Sequence, residues 1–154
     1  MTLPNKSDFR NFCIAHVDAM IAEYEGSIHE LKNGMFEETK SSAGDKYETS
    51  RTQFQREIER LKTQISSIHT TKASLLIISD AKSILVGEGS LLHVSFGTTN
   101  MVIYIGAALG SLDYQSQSIQ VISSLSPLAI ALKGHAAGDV VNFNQKKYKI
   151  EELA

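Results

Sequence analysis

The chain has 154 residues and a formal net charge of −2, and 42% of its residues are hydrophobic against 21% charged. This composition is typical of folded domains and argues against disorder, while the near-neutral charge restricts any nucleic-acid attraction to a local patch and favours a protein partner. The single cysteine, Cys13, excludes an intrachain disulfide, and without a signal peptide or membrane-length apolar run we expect a cytoplasmic protein with no membrane contact.

The first long segment, residues 8–79, permits helix throughout because it contains no proline and few glycines. Ser7 is placed to cap the first helix. Apolar residues then follow at helical spacing, and we expect them, Cys13 included, to form a buried stripe. The stripe comprises Phe9, Cys13, Val17, Met20, Tyr24, Ile28, Leu31 and Met35.

A polar stretch, 37–46, predicts a break after which a second helix returns antiparallel to the first. Spacings of three and four in the second helix indicate a heptad seam. Two helices of roughly 30 residues would be about 45 Å long, which suggests a device for reaching. A dimerising coiled coil or a helical scaffold is the alternative, although a seam filled within one hairpin favours a monomer. The second seam comprises Tyr47, Phe54, Ile58, Leu61, Ile65, Ile68 and Leu75.

The remaining chain predicts a mixed or antiparallel sheet, because short β-branched runs alternate with Gly, Ser and Asn. We expect turns at 97–100 and 144–147, and a short helix from Pro127 to Lys133, capped by Ser126 and ended by Gly134. The fold class is therefore α+β, with a helical hairpin over 1–79 and a β-rich domain over 80–154. The predicted strands are Leu91–Phe96, Met101–Ile105, Ser118–Ile122, Val140–Phe143 and Tyr148–Glu152.

Two carboxylates close to the predicted hairpin tip could act together. Asp45 and Glu48 are three residues apart, so on a helix both can face one way and share a cation. The same spacing fits a capping box, in which Asp45 accepts a bond from an orphan amide and Glu48 reaches back. The spacing leaves both roles open.

Basic residues give the distal half of the hairpin a local positive bias that could contact RNA phosphates. Glutamates dilute this bias, and such charges are also typical of the solvated flanks of a coiled coil. The basic residues are Lys40, Lys46, Arg51, Arg56, Arg60 and Lys62.

Two stretches resemble the Gre family of bacterial transcription elongation factors, the GreA/GreB transcript-cleavage type. Residues 126–141 read SPLAIALKGHAAGDVV, similar to the family's Ser-Pro helix, Gly-basic pair and Gly-Asp turn before the last hairpin. Residues 44–48 read GDKYE, similar to the Gly-Asp-x-x-Glu pattern of the family's hairpin tip. The similarity is strongest over about the last 30 residues, moderate at the tip and weak elsewhere.

This resemblance implies an immunophilin-like C-terminal domain that docks on RNA polymerase and a hairpin that enters the polymerase secondary channel. We expect the motif residues Ser126, Pro127, Gly134, Gly138 and Asp139 to bind polymerase. The protein would not be an enzyme itself, but would stimulate the polymerase to cleave backtracked RNA.

At the tip, the resemblance implies that Asp45 helps to hold a Mg²⁺ ion shared with polymerase, while Glu48 orients or deprotonates the attacking water. The factor would meet the nascent RNA 3′ end only indirectly. Lys46, Arg51 and Arg56 are the candidates for RNA contact.

Two departures from the family pattern support a second reading. The first helix lacks the Thr-x-x-Gly opening, and TSRT at 49–52 replaces the usual Asn-Ala-Glu-Tyr after Glu48. A non-catalytic regulator or inhibitor occupying the same channel is therefore the alternative. A third reading, a prolyl isomerase, follows only from the immunophilin-like fold. It would need a pocket built from Phe96, Tyr104, Tyr114, Phe143 and Tyr148.

Overall fold

A computed structural model describes the backbone of residues 2–41 and 45–154 and the side chains of 2–38 and 48–154. It confirms the α+β class: two long helices precede a mixed sheet that carries one short helix. The helices are α1 (Lys6–Ser41), α2 (Asp45–Leu76) and α3 (Pro127–Leu132). The strands are β1 (Leu91–Phe96), β2 (Thr99–Ile105), β3 (Gly110–Tyr114), β4 (Gln117–Ile122), β5 (Val140–Phe143) and β6 (Lys146–Leu153).

The chain forms two compact units. The hairpin unit comprises Ile14–Ala73, and the sheet unit comprises Met1–Cys13 together with Ser74–Ala154. The first turns of α1 and the last turn of α2 thus belong with the sheet. The predicted domain division into 1–79 and 80–154 stays a prediction.

Within the hairpin unit, α1 and α2 pack antiparallel, as the heptad pattern predicts. Lys72 of late α2 forms an ion pair with Asp18 of early α1 at 2.7 Å, and the Phe54 ring lies beside Gly34 further along both helices. Half-buried residues flank a narrow apolar seam. One cluster of buried seam residues consists of Ile28, Ile58 and Leu61, with Tyr24, Leu31 and Ile65 packed against them.

Both ends of α1 differ from the prediction. Asn5 caps the helix in place of Ser7, because the Asn5 side-chain oxygen accepts a hydrogen bond from the backbone amide of Asp8 at 3.0 Å. The predicted break at 37–46 is wrong over its first half, since α1 continues to Ser41. Residues 37–40 contain neither glycine nor proline, so nothing in them interrupts a helix already under way.

The sheet has the strand order β3-β4-β2-β1-β6-β5. β2 and β4 are parallel, and every other neighbouring pair is antiparallel. The five predicted strands are present with slightly shifted ends, but β3 was not predicted. β3 gives a weak strand pattern, since Leu112 is its only buried residue.

The predicted turns are shorter than expected, because β2 already begins at Thr99 and β6 at Lys146. Asn144 and Gln145 form a two-residue turn with φ of 47° and 63°. Positive φ at both central residues matches the twist of antiparallel strands, so β5 and β6 can pair up to the turn itself.

One face of the sheet packs on α3, where Leu132 is fully buried among Leu92, Val94 and Ile103. α3 ends at Leu132, and Lys133 is its C-cap rather than its last helical residue.

The opposite face packs on the helix ends that belong to the sheet unit. Phe9 is fully buried, and its ring centroid lies 5.3 Å from those of both Tyr104 and Tyr114. Nearby, Arg10 forms a 2.7 Å ion pair with Asp80, and the Nζ of buried Lys6 donates to the Ala81 carbonyl at 2.8 Å. These contacts fix the residues that follow α2 against the start of α1.

Candidate functional site

The tip motif lies where the second helix begins. α2 begins at Asp45, so Asp45 and Glu48 belong to its first turn. Gly44 and the side chains of Asp45 and Lys46 lie outside the described residues. The predicted Asp45–Glu48 metal pair and the predicted RNA contact of Lys46 therefore stay predictions.

Glu48 is the tip carboxylate whose side chain is described, and it is exposed. Its carbonyl accepts a hydrogen bond from the Thr52 hydroxyl at 2.9 Å. Glu48 and Arg56 line one shallow depression of about 300 Å³ with Thr49, Thr52 and Gln53. A carboxylate and a guanidinium thus stand on one exposed face of α2, where they can meet charged groups of a partner.

Arg51 is exposed on the turn between them. Two of the three candidate RNA-contact residues, Arg51 and Arg56, are therefore solvent-accessible. RNA contact itself stays a prediction for both.

The metal prediction concerns the same turn. Within residues 2–38 and 48–154, no group of three His, Cys, Asp or Glu side chains could hold a metal ion. Mg²⁺ demands a near-octahedral set of oxygen ligands and keeps several waters. Glu48 can supply one such ligand, so a Mg²⁺ ion at this turn would take most of its other ligands from a partner.

In the C-terminal motif, Ser126 and Pro127 determine how α3 begins. Ser126 has extended backbone angles, φ −66° and ψ 148°, and its hydroxyl accepts a hydrogen bond from the Ala129 amide at 3.3 Å. Pro127 occupies the first helical position, where its lack of an amide proton costs nothing. The predicted cap is confirmed.

The glycines of the motif adopt conformations that favour glycine. Gly134 has φ +82° and Gly138 has φ +94°, a region that side chains with a Cβ rarely occupy. The Gly134 amide donates to the Val86 carbonyl at 2.9 Å and the Gly138 amide to the Ile150 carbonyl at 2.7 Å. Both bonds tie this loop to neighbouring backbone.

Asp139 organises the turn that follows. Its carboxylate accepts a hydrogen bond from the Ala136 amide at 2.8 Å and lies 3.4 Å from the His135 Nδ1. These local bonds account for Gly134, Gly138 and Asp139 without any partner, and their predicted binding to polymerase stays a prediction.

Two exposed apolar side chains at the start of this motif were not predicted. Leu125 is 82% exposed and Ile130 is 59% exposed. Leu125 precedes Ser126 and Ile130 follows Pro127 by three residues, so two apolar side chains are exposed near the cap. The signal was available: a helix of six residues with Ala129 and Leu132 towards the core leaves Ile130 on its outer side.

The aromatic residues do not surround one cavity. Tyr104 and Tyr114 pack with Phe9 on one face of the sheet, whereas Phe96 and Phe143 pack with Tyr148 in the core beneath α3. Burial raises the pKa of the Tyr104 hydroxyl, which favours its neutral form. The pocket that a prolyl isomerase needs is not formed by these five residues.

Within the described residues, no helix is long and apolar enough to cross a membrane. No family profile and no curated protein matches the chain.

Solved structures that are similar to it include the following three. The crystal structure of GreA factor homolog 1 (Gfh1) protein of Thermus thermophilus has a TM-score of 0.38 and 16% identity, over 92% of this chain and 94% of that chain. A structure of the transcription factor Gfh1 has a TM-score of 0.37 and 18% identity, over 91% and 92%. Thermus aquaticus Gfh1 has a TM-score of 0.36 and 18% identity, over 90% and 92%. Because these TM-scores are below 0.5, we infer no function from them.

Proposed function

We propose that the protein is an RNA polymerase-binding transcription elongation factor of the Gre type, whose hairpin enters the secondary channel and stimulates cleavage of backtracked RNA. The observation that carries this proposal is the position of GDKYE at residues 44–48, at the start of α2. Asp45 and Glu48 are thus one turn apart at the beginning of α2, and the Glu48 side chain is exposed.

The length of the hairpin supports the proposal. From Ile14 to Ser41, α1 rises by roughly 40 Å within the hairpin unit. The hairpin buries only a narrow seam, so this length adds little core. A long, thin hairpin with a carboxylate near its end is suited to placing that carboxylate deep inside a partner.

The chemistry proposed for the tip is assistance rather than catalysis by this chain alone. Asp45 would supply one oxygen ligand to a Mg²⁺ ion that polymerase also holds, and Mg²⁺ would stabilise the charge that develops at the phosphate. Glu48 would accept a hydrogen bond from the attacking water and orient it. Arg51 and Arg56 would attract RNA phosphates.

The sheet unit would bind polymerase through the α3 segment. Ser126, Pro127 and the two left-handed glycines fix the loop conformation, and the exposed Leu125 and Ile130 supply apolar contact area. Gly134, Gly138 and Asp139 would thus act by holding the loop in shape as well as by contact.

The test measures RNA length on a gel after the protein and Mg²⁺ are added to purified, deliberately backtracked polymerase complexes. The wild type is compared with Asp45→Ala/Glu48→Ala. We expect shortened RNA with the wild type and none with the tip variant, because the variant lacks both carboxylates.

The matched control is Glu25→Ala/Glu59→Ala, which removes two exposed carboxylates of α1 and α2 away from the tip. It should shorten RNA as the wild type does. Binding to polymerase without RNA shortening by any variant would favour the regulator, to which the TSRT sequence at 49–52 points. Absence of polymerase binding would contradict the proposed function altogether.

A further inference from the structure

A continuous groove runs along one side of the hairpin unit, between α1 and α2. It consists of two depressions of about 520 Å³ and 350 Å³, both lined by Leu31, Phe54 and Glu57. On α1 the lining extends from Met20 to Glu38. This distance is roughly 27 Å, which matches a helix of about 18 residues.

The floor of the groove is apolar. Tyr24 and Leu31 of α1 pack against the buried seam but stay half-exposed. Phe54 of α2 is also half-exposed, and its ring lies so close to Gly34 that a Cβ there would be 3.3 Å from it. The Phe54 ring therefore packs closely on α1, and the side of the ring that faces away from α1 is available for contact.

The rim of the groove is acidic. Among the described side chains, Glu23, Glu30, Glu38 and Glu57 line it, against one cation, Arg60. Arg60 donates two hydrogen bonds to Glu57, at 2.6 Å and 3.0 Å, and these bonds hold the pKa of Glu57 below its usual range. Arg60 is therefore already ion-paired with one carboxylate of the rim, that of Glu57.

The other three rim carboxylates have no such match. Glu23, Glu30 and Glu38 form no ion pair with another described side chain. They follow the groove along α1 at spacings of seven and eight residues, which places them on one side of that helix.

We propose that this groove binds a basic amphipathic helix of a partner protein. The apolar face of that helix would cover Tyr24, Leu31 and Phe54, as in other helix-in-groove complexes. Its Lys or Arg side chains would meet Glu23, Glu30 and Glu38. The charge of the rim selects this occupant: an acidic or neutral helix could cover the floor but would leave three carboxylates facing like charges or none. The proposal holds whether or not the partner is a polymerase.

The test uses the full chain and a fluorescent, helical peptide of about 18 residues, with leucines on one face and lysines on the flanks. A second peptide carries glutamate in place of every lysine. Fluorescence anisotropy should show the basic peptide binding at least about tenfold more tightly than the acidic one, and more weakly as salt is added.

The decisive variant is Glu23→Lys/Glu30→Lys, both at exposed positions. It should weaken binding of the basic peptide about tenfold, since two attractive pairs become repulsive. The matched control, Glu25→Lys/Glu59→Lys, changes the net charge equally at exposed positions outside the groove. It should bind within about twofold of the wild type. Should the first variant not fold, Glu23→Gln/Glu30→Gln takes its place, with a smaller loss expected.

Three outcomes would overturn the proposal. Equal binding of the basic and acidic peptides would remove the charge selection. Equal weakening by the control variant would show attraction to the overall charge rather than to the groove. Sedimentation that shows self-association of the chain, abolished by Glu23→Lys/Glu30→Lys, would assign the groove to a second copy.

Discussion

The two units of the molecule bury their apolar side chains very differently. In the sheet unit, side chains from both faces of the sheet are fully enclosed: Leu92 and Ile103 on one face and Leu91 and Tyr104 on the other are 0% exposed. In the hairpin unit, Val17 is fully buried, but the other buried apolar side chains keep some exposure: 7% for Ile21, 9% for Ile28 and Ile68, 6% for Ile58 and 4% for Leu61. A sheet covered on both faces can enclose every residue of a central strand, whereas two helices enclose only their shared seam.

The contrast indicates that the two units serve different purposes: the sheet unit provides stability and the hairpin unit provides length. The sheet unit has the deeper core, and the motif residues around α3 are set in rigid caps and turns on its surface. The hairpin unit has a thin core and long exposed sides, and it presents the tip motif and the acidic groove. The contrast can be tested by damaging each unit in turn.

The largest effect is expected from Phe9→Ala. Phe9 is fully buried and packs edge-on against Tyr104 and Tyr114, so its loss leaves a cavity in the sheet unit. The free energy of unfolding in urea should fall by about 3–5 kcal/mol. Ile84→Ala, at a position 83% exposed, should change it by less than about 0.5 kcal/mol. Similar losses for both variants would contradict the buried position of Phe9.

The next effect concerns the thiol of Cys13, also in the sheet unit. Burial raises the pKa of Cys13 from 9.0 to about 12, so the folded state prefers the neutral thiol. At pH 8 the thiol should react with a disulfide reagent about a thousandfold more slowly than in unfolded protein. A reaction as fast as that of unfolded protein would show that this end of α1 opens readily.

The same shift predicts a pH dependence. Because the folded pKa lies above the unfolded one, the stabilisation is complete below about pH 9 and is lost as pH rises towards 12. Between pH 9 and pH 12 the free energy of unfolding should fall more for the wild type than for Cys13→Ala, because the variant has no thiol to titrate. Parallel loss in both proteins would contradict the shift.

A smaller effect is expected from Leu61→Ala in the hairpin seam. Leu61 is buried, but less completely than Phe9. The free energy of unfolding should therefore fall by about 2–3 kcal/mol. Hydrogen exchange should show faster exchange in α1 and α2 between residues 14 and 73, with the strands unchanged. Equal loss of protection in β1 and β2 would mean that the two units unfold together.

The smallest effect is expected from Ser126→Ala. The variant removes the oxygen that accepts the Ala129 amide, and it should cost about 1 kcal/mol. Ser126→Asp should restore most of this stability, because aspartate also caps helices. If Ser126→Ala weakens polymerase binding and Ser126→Asp restores stability but not binding, Ser126 contacts the partner in addition to capping.

The regular parts of the fold could be predicted because their patterns are long. The heptad spacing of Ile58, Leu61 and Ile68 specified the hairpin, and alternation specified five strands. β3 was not predicted because it has one buried residue, Leu112, and so shows no clear alternation. The N-cap of α1 was predicted at the wrong residue. Asn5 and Ser7 both have side chains that can accept the capping hydrogen bond, and the sequence does not show which of them precedes the first helical residue.

Fewer features of the candidate site could be predicted from the sequence. The cap at Ser126 and the end of α3 at Gly134 follow from local residue chemistry, so the sequence sufficed. The acidic groove did not emerge, because it depends on which sides of α1 and α2 face each other. Glu23 and Glu57 are far apart in sequence and line one surface only after the helices pair.

The interleaving of the two units sets an order of events during synthesis. The hairpin unit is complete once Ala73 has left the ribosome, whereas the sheet unit needs both Phe9 and strand β6, which pairs with β1 and β5 in the interior of the sheet. Phe9 can therefore be enclosed only after Tyr104 and Tyr114 have been made. Until then we expect the apolar side chains of the first helical turns to stay exposed on the nascent chain, where they favour premature association.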